Sequence, residues 1–253
     1  MRSRSIHRFC VAQAQISDGR VRFTREQAHQ IVRVLRLRRG DTVAVFDGTG
    51  AEHEAELITL GAKETTALLK GPRATAPEPL LRLILLQGLP KGEKMELIIQ
   101  KATELGIHRI IPVLCERSVA RSSGRPPRWR LIAREAAEQC GRAVVPQIDE
   151  PIRFASFIAA EGSAGLRGIA LWEDERARGL KDALRLMATA DPLHLLVGPE
   201  GGLAPDEVRM AGDLGLVTAS LGRRTLRTET ATLAAVGIIQ YELGDLGLLG
   251  GGS

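Results

Sequence analysis

Beyond residue 79 the chain alternates short apolar runs with stretches in which apolar residues recur every three or four positions. The runs Leu81–Leu86, Ile110–Leu114, Gly168–Leu171, Leu193–Val197 and Leu216–Leu221 are too short for helices and predict strands buried on both faces. Between the first two, Met95, Ile98, Ile99, Ala102 and Leu105 keep helical spacing, and Gly106 can close that helix in the left-handed conformation. Pro126 and Pro127 open a second helix through Trp129, Ile132, Ala133, Ala136 and Ala137, ending at Gly141. Pro205 opens another, with Asp206 and Glu207 suited to the positive end of its dipole, and a last helix is expected from about Glu229 to Leu243. Strands alternating with helices predict an α/β fold around a mostly parallel sheet.

The pattern before residue 71 is different. Thr42–Phe46 is a short β-like run ending in the turn Asp47-Gly48-Thr49-Gly50, and Glu54–Leu60 is another ending at Gly61. One helix is predicted over Arg25–Leu35, with Ala28, Ile31, Val32 and Leu35 on one face and Thr24 as N-cap. Gly71–Pro79 carries three prolines and almost nothing apolar, and reads as an extended linker. The expected organisation is a small β-rich domain over 1–71, a linker over 72–79, a larger α/β domain over 80–249, and a mobile glycine-rich tail over 250–253.

Composition narrows the class. With 253 residues, 44% of them hydrophobic, the chain can bury a substantial core. Cys10, Cys115 and Cys140 are too scattered for a disulfide framework, and no apolar run reaches the length of a membrane span. A cytoplasmic protein is expected. Charge is uneven along the chain: residues 1–40 hold ten arginines against Asp18 and Glu26, a surplus of eight on a chain whose net charge is +5. That surplus points to a polyanion at the N-terminal part, the alternative being a solvated arginine face. Aromatic content of 3% argues against binding through rows of stacked bases, so an RNA partner would be held by phosphate and shape.

Several chemistries lack their motifs. There is no GxGxxG opening a helix, no P-loop and no GxSxG elbow, and the five histidines show no paired-ligand spacing, so no metal site is expected. Two glycine-bearing loops remain. Gly198-Pro199-Glu200-Gly201-Gly202 follows one apolar run, and Leu221-Gly222-Arg223-Arg224-Thr225-Leu226 follows another. At the carboxyl ends of neighbouring strands, two such loops can clamp a flat heterocycle with main-chain polar groups, with Leu203, Leu221 and Leu226 against its faces. Taken alone, the first loop can equally be a structural turn. Leu226-Arg227-Thr228-Glu229-Thr230-Ala231 then enters the last helix, where Thr228 can cap and Glu229 favours the first turn.

Lys91-Gly92-Glu93-Lys94-Met95, Lys101-Ala102-Thr103-Glu104-Leu105-Gly106, Glu138-Gln139-Cys140-Gly141-Arg142, Gly198–Gly202 and Leu226–Ala231 together resemble the 16S rRNA uracil-N3 methyltransferases of the SPOUT superfamily. The likeness extends through Glu116-Arg117-Ser118-Val119, and upstream into Val34–Leu37 and Asp47-Gly48, in order along nearly the whole chain. It implies S-adenosylmethionine (SAM) as methyl donor, a C-terminal SPOUT domain threaded as a trefoil knot, a PUA-like β-barrel before it, and a homodimer. The family usually carries Phe and then Ser or Thr after GPEGG, where this chain has Leu203 and Ala204, so a helix start weaker by about 1 kcal/mol is expected.

The resemblance implies the cofactor contacts, and the chemistry of the reaction suggests the other roles. Cofactor contacts are expected from Leu171, Trp172 and Glu173, from Val197, Gly198, Pro199, Glu200, Gly201 and Gly202, and from Leu221, Gly222, Leu226, Thr228, Thr230 and Ala231. Methylation at N3 requires loss of the imide proton, with Arg227 holding charge on O2 or O4 and Glu229 relaying the proton through water. The 16S rRNA, within the small ribosomal subunit, would meet Arg33, Arg36, Arg38, Arg39, Lys91, Lys94, Arg117, Arg121 and Arg142. The dimer face is expected to combine Leu233, Val236 and Ile239 with the Leu131–Ala137 helix. Ribose 2′-O-methylation and a non-catalytic RNA-binding assembly factor are the alternatives.

Overall fold

The computed structural model describes residues 6–61, 64–75, 77–119, 125–161, 165–187 and 192–248. The chain divides into two compact units, Met1–Glu78 with Arg134–Val145, and Pro79–Ala133 with Pro146–Ser253. Among the described residues no helix is long and apolar enough to cross a membrane.

The first unit is built from β1 (Arg8–Cys10), β2 (Ile16–Ser17), β3 (Arg20–Arg22), α1 (Arg25–His29), β4 (Thr42–Phe46), β5 (Glu52–Leu60) and β6 (Thr65–Pro72). Its sheet runs β1-β4-β5-β6-β3-β2, antiparallel except where β1 joins β4. The sheet curls, bringing Phe9 of β1 edge-on to Phe23 beyond β3 with ring centroids 5.5 Å apart, and Ile31, Val43, Val45 and Leu57 fill the enclosed core. Thr24 caps α1 as expected, accepting from Gln27 N while Gln27 Oε1 accepts from Thr24 N. The helix is shorter than its apolar spacing predicts. After His29 the turn widens, and Leu35 N bonds Gln30 O, a five-residue step that continues as a π-helical turn over Gln30–Val34.

Arg8 explains why residues 134–145 belong here. Its guanidinium lies 4.7 Å above the Phe46 ring, pairs with the buried Glu52, and donates to Ala137 O at 2.9 Å and Arg142 O at 3.0 Å. It therefore serves as internal glue and is withdrawn from the arginine surplus read in the sequence. The beginning of the proline-rich segment is likewise structured: β6 runs to Pro72, and Arg73 N bonds Glu52 O.

The second unit follows the strand–helix alternation. Its elements are β7 (Leu83–Gly88), α2 (Lys94–Glu104), β8 (Arg109–Leu114), α3 (Pro126–Cys140, whose last turns belong to the first unit), β9 (Gln147–Ile148), β10 (Ile152–Arg153) and α4 (Phe154–Glu161). Then come β11 (Gly168–Leu171), α5 (Leu180–Leu186), β12 (Leu193–Val197), α6 (Pro205–Asp213), β13 (Leu216–Ala219) and α7 (Thr228–Leu243). All five predicted strands appear; β7 starts at Leu83 and β13 stops at Ala219, and the two-residue β9 and β10 carry too little pattern to be foreseen. The order is β10-β8-β7-β12-β11-β13, with β9 also on β8, and every pairing is parallel.

β7 and β12 are buried at every position, so both sheet faces are covered. Ile84, Leu86, Ile111, Val113 and Leu196 pack with Phe154 and Phe157 of α4 and Val208 and Ala211 of α6. α7 packs with α2, α5 and β12. Of the expected dimer face, Val236 and Ile239 have no exposed surface within the single chain and Ala133 and Ala137 are likewise buried, while Leu131 and Leu233 are half-buried. The outward residues of the last helix are instead Ile238 and Tyr241.

Candidate active site

Parallel register sets the site. Gln87 pairs with Val197, Val197 with Leu171, and Leu171 with Ala219, so the carboxyl ends of β7, β12, β11 and β13 are level. Chains leaving them must turn over one edge of the sheet, where ligands of open α/β sheets bind. Three of these turns enclose a cavity of about 430 Å³.

The first wall is the loop after β12. Gly202 N bonds Pro199 O at 3.0 Å, and Gly202 takes a positive φ of 72° that a side chain would strain. Glu200 fastens this loop to the start of α2, accepting from Lys91 N at 3.0 Å and from Lys94 Nζ at 2.8 Å. Burial pushes the Glu200 carboxyl up, but the bonds from Lys94 and from backbone N–H groups outweigh it and hold the group below its usual range. The Lys94 ammonium is raised in turn, first by that bond to Glu200. Beyond the loop, Ala204 offers α6 no side-chain cap, and Glu207 Oε2 accepts from Ala204 N at 2.9 Å instead. The helix start therefore keeps half of a capping box in spite of the alanine.

The second wall is the loop after β13. Gly222 N is held by Ser220 Oγ at 3.2 Å, and a Cβ built on Gly222 would meet nothing within 4 Å. The backbone there is bare toward the cavity. The third wall follows β11: Trp172 N bonds Ala219 O, and Glu175 is drawn below its usual range by bonds from the Thr218 hydroxyl and Ala177 N.

Of the expected cofactor residues, Leu171, Trp172, Glu173, Val197, Gly198, Pro199, Glu200, Gly202, Leu221, Gly222, Leu226, Thr228 and Ala231 line this cavity. Gly201 and Thr230 do not. Gly201 turns toward Arg117, whose Nη1 donates to Gly201 O at 3.1 Å, and Thr230 is exposed on the first turn of α7. Arg223, Arg224 and Thr225, within the second clamping loop, also line it, and Asp174, Arg176, Ala219 and Ser220 line it without having been foreseen.

Arg227 lines the cavity at the N-cap position of α7, so Thr228 is not the cap. The Thr228 hydroxyl instead donates to Gly198 O at 2.7 Å, joining the first two walls. Glu229 is not a lining residue; its carboxylate lies 3.7 Å from Lys94 Nζ, with Oε2 buried and without a hydrogen-bond partner. Lys94, expected on RNA, is thus set between two carboxylates. Arg142 is likewise held by a carboxylate, its side chain 11% exposed and forked onto Glu78 at 2.6 and 3.0 Å. Arg33, Arg36, Arg38 and Arg39 are exposed on the first unit, as are Lys91 and Arg117 on the second, while Arg121 lies outside the described residues.

A family model of the RNA methyltransferase domain matches residues 76–240, and one of the RNA methyltransferase PUA domain matches residues 23–69. The ribosomal RNA small subunit methyltransferase E of Bacillus subtilis is 34% identical over 228 residues, covering 87% of this chain and 89% of that protein. Its namesake from Synechocystis is 36% identical over 233 residues, covering 91% of this chain and 76% of the relative. The crystal structure of the Neisseria gonorrhoeae enzyme of the same name, bound to S-adenosyl methionine, superposes with a TM-score of 0.84 at 32% identity, covering 95% of this chain and 99% of that one.

Proposed function

We propose that this chain, which belongs to the RNA methyltransferase family, is a SAM-dependent ribosomal RNA methyltransferase that methylates N3 of a uridine in 16S rRNA. The observation that carries the reading is the convergence of three loops on one cavity at the level ends of β7, β12, β11 and β13.

The cavity suits the cofactor. Its volume of about 430 Å³ is that of a small-molecule site. Leu171, Val197, Leu221 and Leu226 give apolar walls, Gly198 and Gly222 give bare backbone, and the lining carries both Glu173 and Asp174 and the cations Arg223, Arg224 and Arg227. A zwitterionic nucleoside with a sulfonium centre needs that mixture. When bound, SAM would supply a methyl group on a positively charged sulfur, and the nucleophile's bond to the methyl carbon would form as the carbon–sulfur bond breaks, the sulfur leaving as a neutral thioether. The chain's own residues align the partners and exclude water. Arg227, at the positive end of α7, takes the charge that develops on O2 or O4 as the N3 proton leaves. A proton moving toward Glu229 travels through solvent, because that carboxylate is set against Lys94 outside the cavity lining.

The C-terminal part is read as a trefoil knot, supported by the order β7-β12-β11-β13 and by the return of α7 onto α2. The first unit is read as the RNA clamp, supported by its exposed Arg33, Arg36, Arg38 and Arg39. A homodimer is part of the reading, its support moved to the exposed apolar residues Ile238 and Tyr241 of α7 and Leu248 beyond it. The same reading puts the protein in the cytoplasm with the small ribosomal subunit.

The test is methylation of small subunits, and of 16S rRNA alone, with SAM, followed by mass analysis of the nucleosides. 3-Methyluridine is expected. A ribose-methylated nucleoside, or no product with either substrate, overturns the proposal.

A further inference from the structure

Gln87, Thr228 and Thr232 form a polar cluster that the chemistry above leaves unused. Gln87 and Thr232 are 0% exposed and Thr228 is 5% exposed, between the end of β7 and the first turns of α7. Polar groups so buried destabilise a core unless each is paired. Here the pairing runs one way. Thr228 Oγ1 donates to Gly198 O at 2.7 Å, and because a carbonyl only accepts, the hydroxyl proton is committed there. The hydroxyl oxygen then accepts from Gln87 Nε2 at 3.1 Å, and the same nitrogen donates to Gly88 O at 3.0 Å. Gln87 Oε1 lies 2.6 Å from Thr232 Oγ1, whose single proton is shared between that amide oxygen and Thr228 O at 2.9 Å. Turning the amide over would set Oε1 against Thr228 Oγ1 with no proton left between them. The amide has one satisfied orientation.

Gly198 and Thr228 both line the cavity, whereas Gln87 does not. Two loops thirty residues apart are therefore joined by a single hydroxyl, and that hydroxyl is oriented from behind by one buried amide. We infer that Gln87 is a positioning residue, which fixes the Thr228 hydroxyl and so sets the separation of the Gly198 loop from the first turn of α7. The identity of the ligand that needs this separation, SAM, rests on the methyl-transfer reading.

The test is calorimetry of the full chain with SAM, alongside thermal melts and RNA binding. Gln87→Leu removes both polar groups at similar volume, and Gln87→Glu keeps the shape but removes the N–H. Each should weaken SAM at least about tenfold and leave RNA affinity unchanged. Thr228→Val should do the same, and Thr228→Ser, which keeps the hydroxyl, should restore binding to about twofold of the parent. Ile98→Ala, buried in α2 and outside the cavity lining, reports what loss of stability alone does. Gln87 variants that bind SAM no worse than Ile98→Ala overturn the inference. Should the Gln87 variants not fold, the Thr228→Val and Thr228→Ser pair decides, and equal binding by the two overturns it as well. Failure of the parent chain to bind SAM is a separate outcome and removes the methyl-transfer reading instead.

Discussion

Gly88→Ala is the sharpest perturbation of the cavity wall. Gly88 ends β7 behind the Gly198 loop, and a Cβ there would stand 2.5 Å from Pro199 N, 2.6 Å from Pro199 Cδ and 2.7 Å from Gly198 C. Backbone and a ring carbon cannot swing aside as a flexible side chain does. Ordinary contact begins near 3.4 Å, so the loop must retreat from β7 by about 0.7 to 0.9 Å. Overpacking of this kind costs roughly 1–3 kcal/mol, which in a protein of this size lowers Tm by about 3–10 °C. The same retreat stretches the Thr228–Gly198 bond from 2.7 Å to beyond useful length, so SAM binding should weaken at least about tenfold. Gly212→Ala supplies the control, since a Cβ there meets nothing within 4 Å and sits inside α6, where alanine should stabilise by roughly 0.5–1 kcal/mol. Melting curves and calorimetry read both. If Gly88→Ala melts and binds as the parent does, the close packing of β7 against the loop does not set the cavity.

Arg227→Ala should lower single-turnover methylation by about a hundredfold while SAM binding stays measurable, and an unaltered rate would remove Arg227 from the chemistry. Arg36 and Arg38 replaced together by alanine should weaken RNA binding and flatten its logarithmic salt slope by roughly 1.5, with SAM affinity intact; an unchanged slope rejects the first unit as the clamp. Glu200 gives a pH signature. Its carboxyl is held low in the fold, so the tie to Lys94 is fully present above the ordinary carboxylate range and is lost as pH falls through the depressed value. SAM affinity should therefore drop once pH falls below the ordinary carboxylate range, and Glu200→Gln should bind weakly at neutral pH without that acid-side drop. A Glu200→Gln profile that matches the parent's refutes the tie.

The strands and helices of the second unit were legible because each apolar period is local, and the glycine loops were legible because bare backbone is itself the signal. What the pattern concealed was pairing over distance. Lys94 reads as a free cation until Glu200, 106 residues away, is brought to it, and Arg142 reads so until Glu78 arrives. Arg8 counted toward a basic surface until its guanidinium was found on carbonyls 129 and 134 residues ahead. Nor does spacing alone reveal that Val236 and Ile239 are already covered within one chain, since an internal face and an interface of a helix have the same period. The π turn after His29 depends on one bond, from Leu35 N to Gln30 O, that no apolar spacing encodes.

The stretch Arg227-Thr228-Glu229-Thr230 shows why a dense motif need not be a dense active site. Successive side chains at a helix start are about 100° apart, so four in a row point in four directions and cannot all face one ligand. The structure separates them: Arg227 lines the cavity, Thr228 turns inward onto Gly198 O, Glu229 faces Lys94, and Thr230 is exposed. Their alanine or isosteric variants should therefore differ in kind. Arg227→Ala should act on turnover and Thr228→Val on SAM affinity. Thr230→Ala should change stability by less than about 0.5 kcal/mol and leave both kinetic quantities alone. A common loss of SAM binding across Arg227→Ala, Thr228→Val and Thr230→Ala would mean that the motif acts as one contact surface, and the division of labour drawn from its geometry would be wrong.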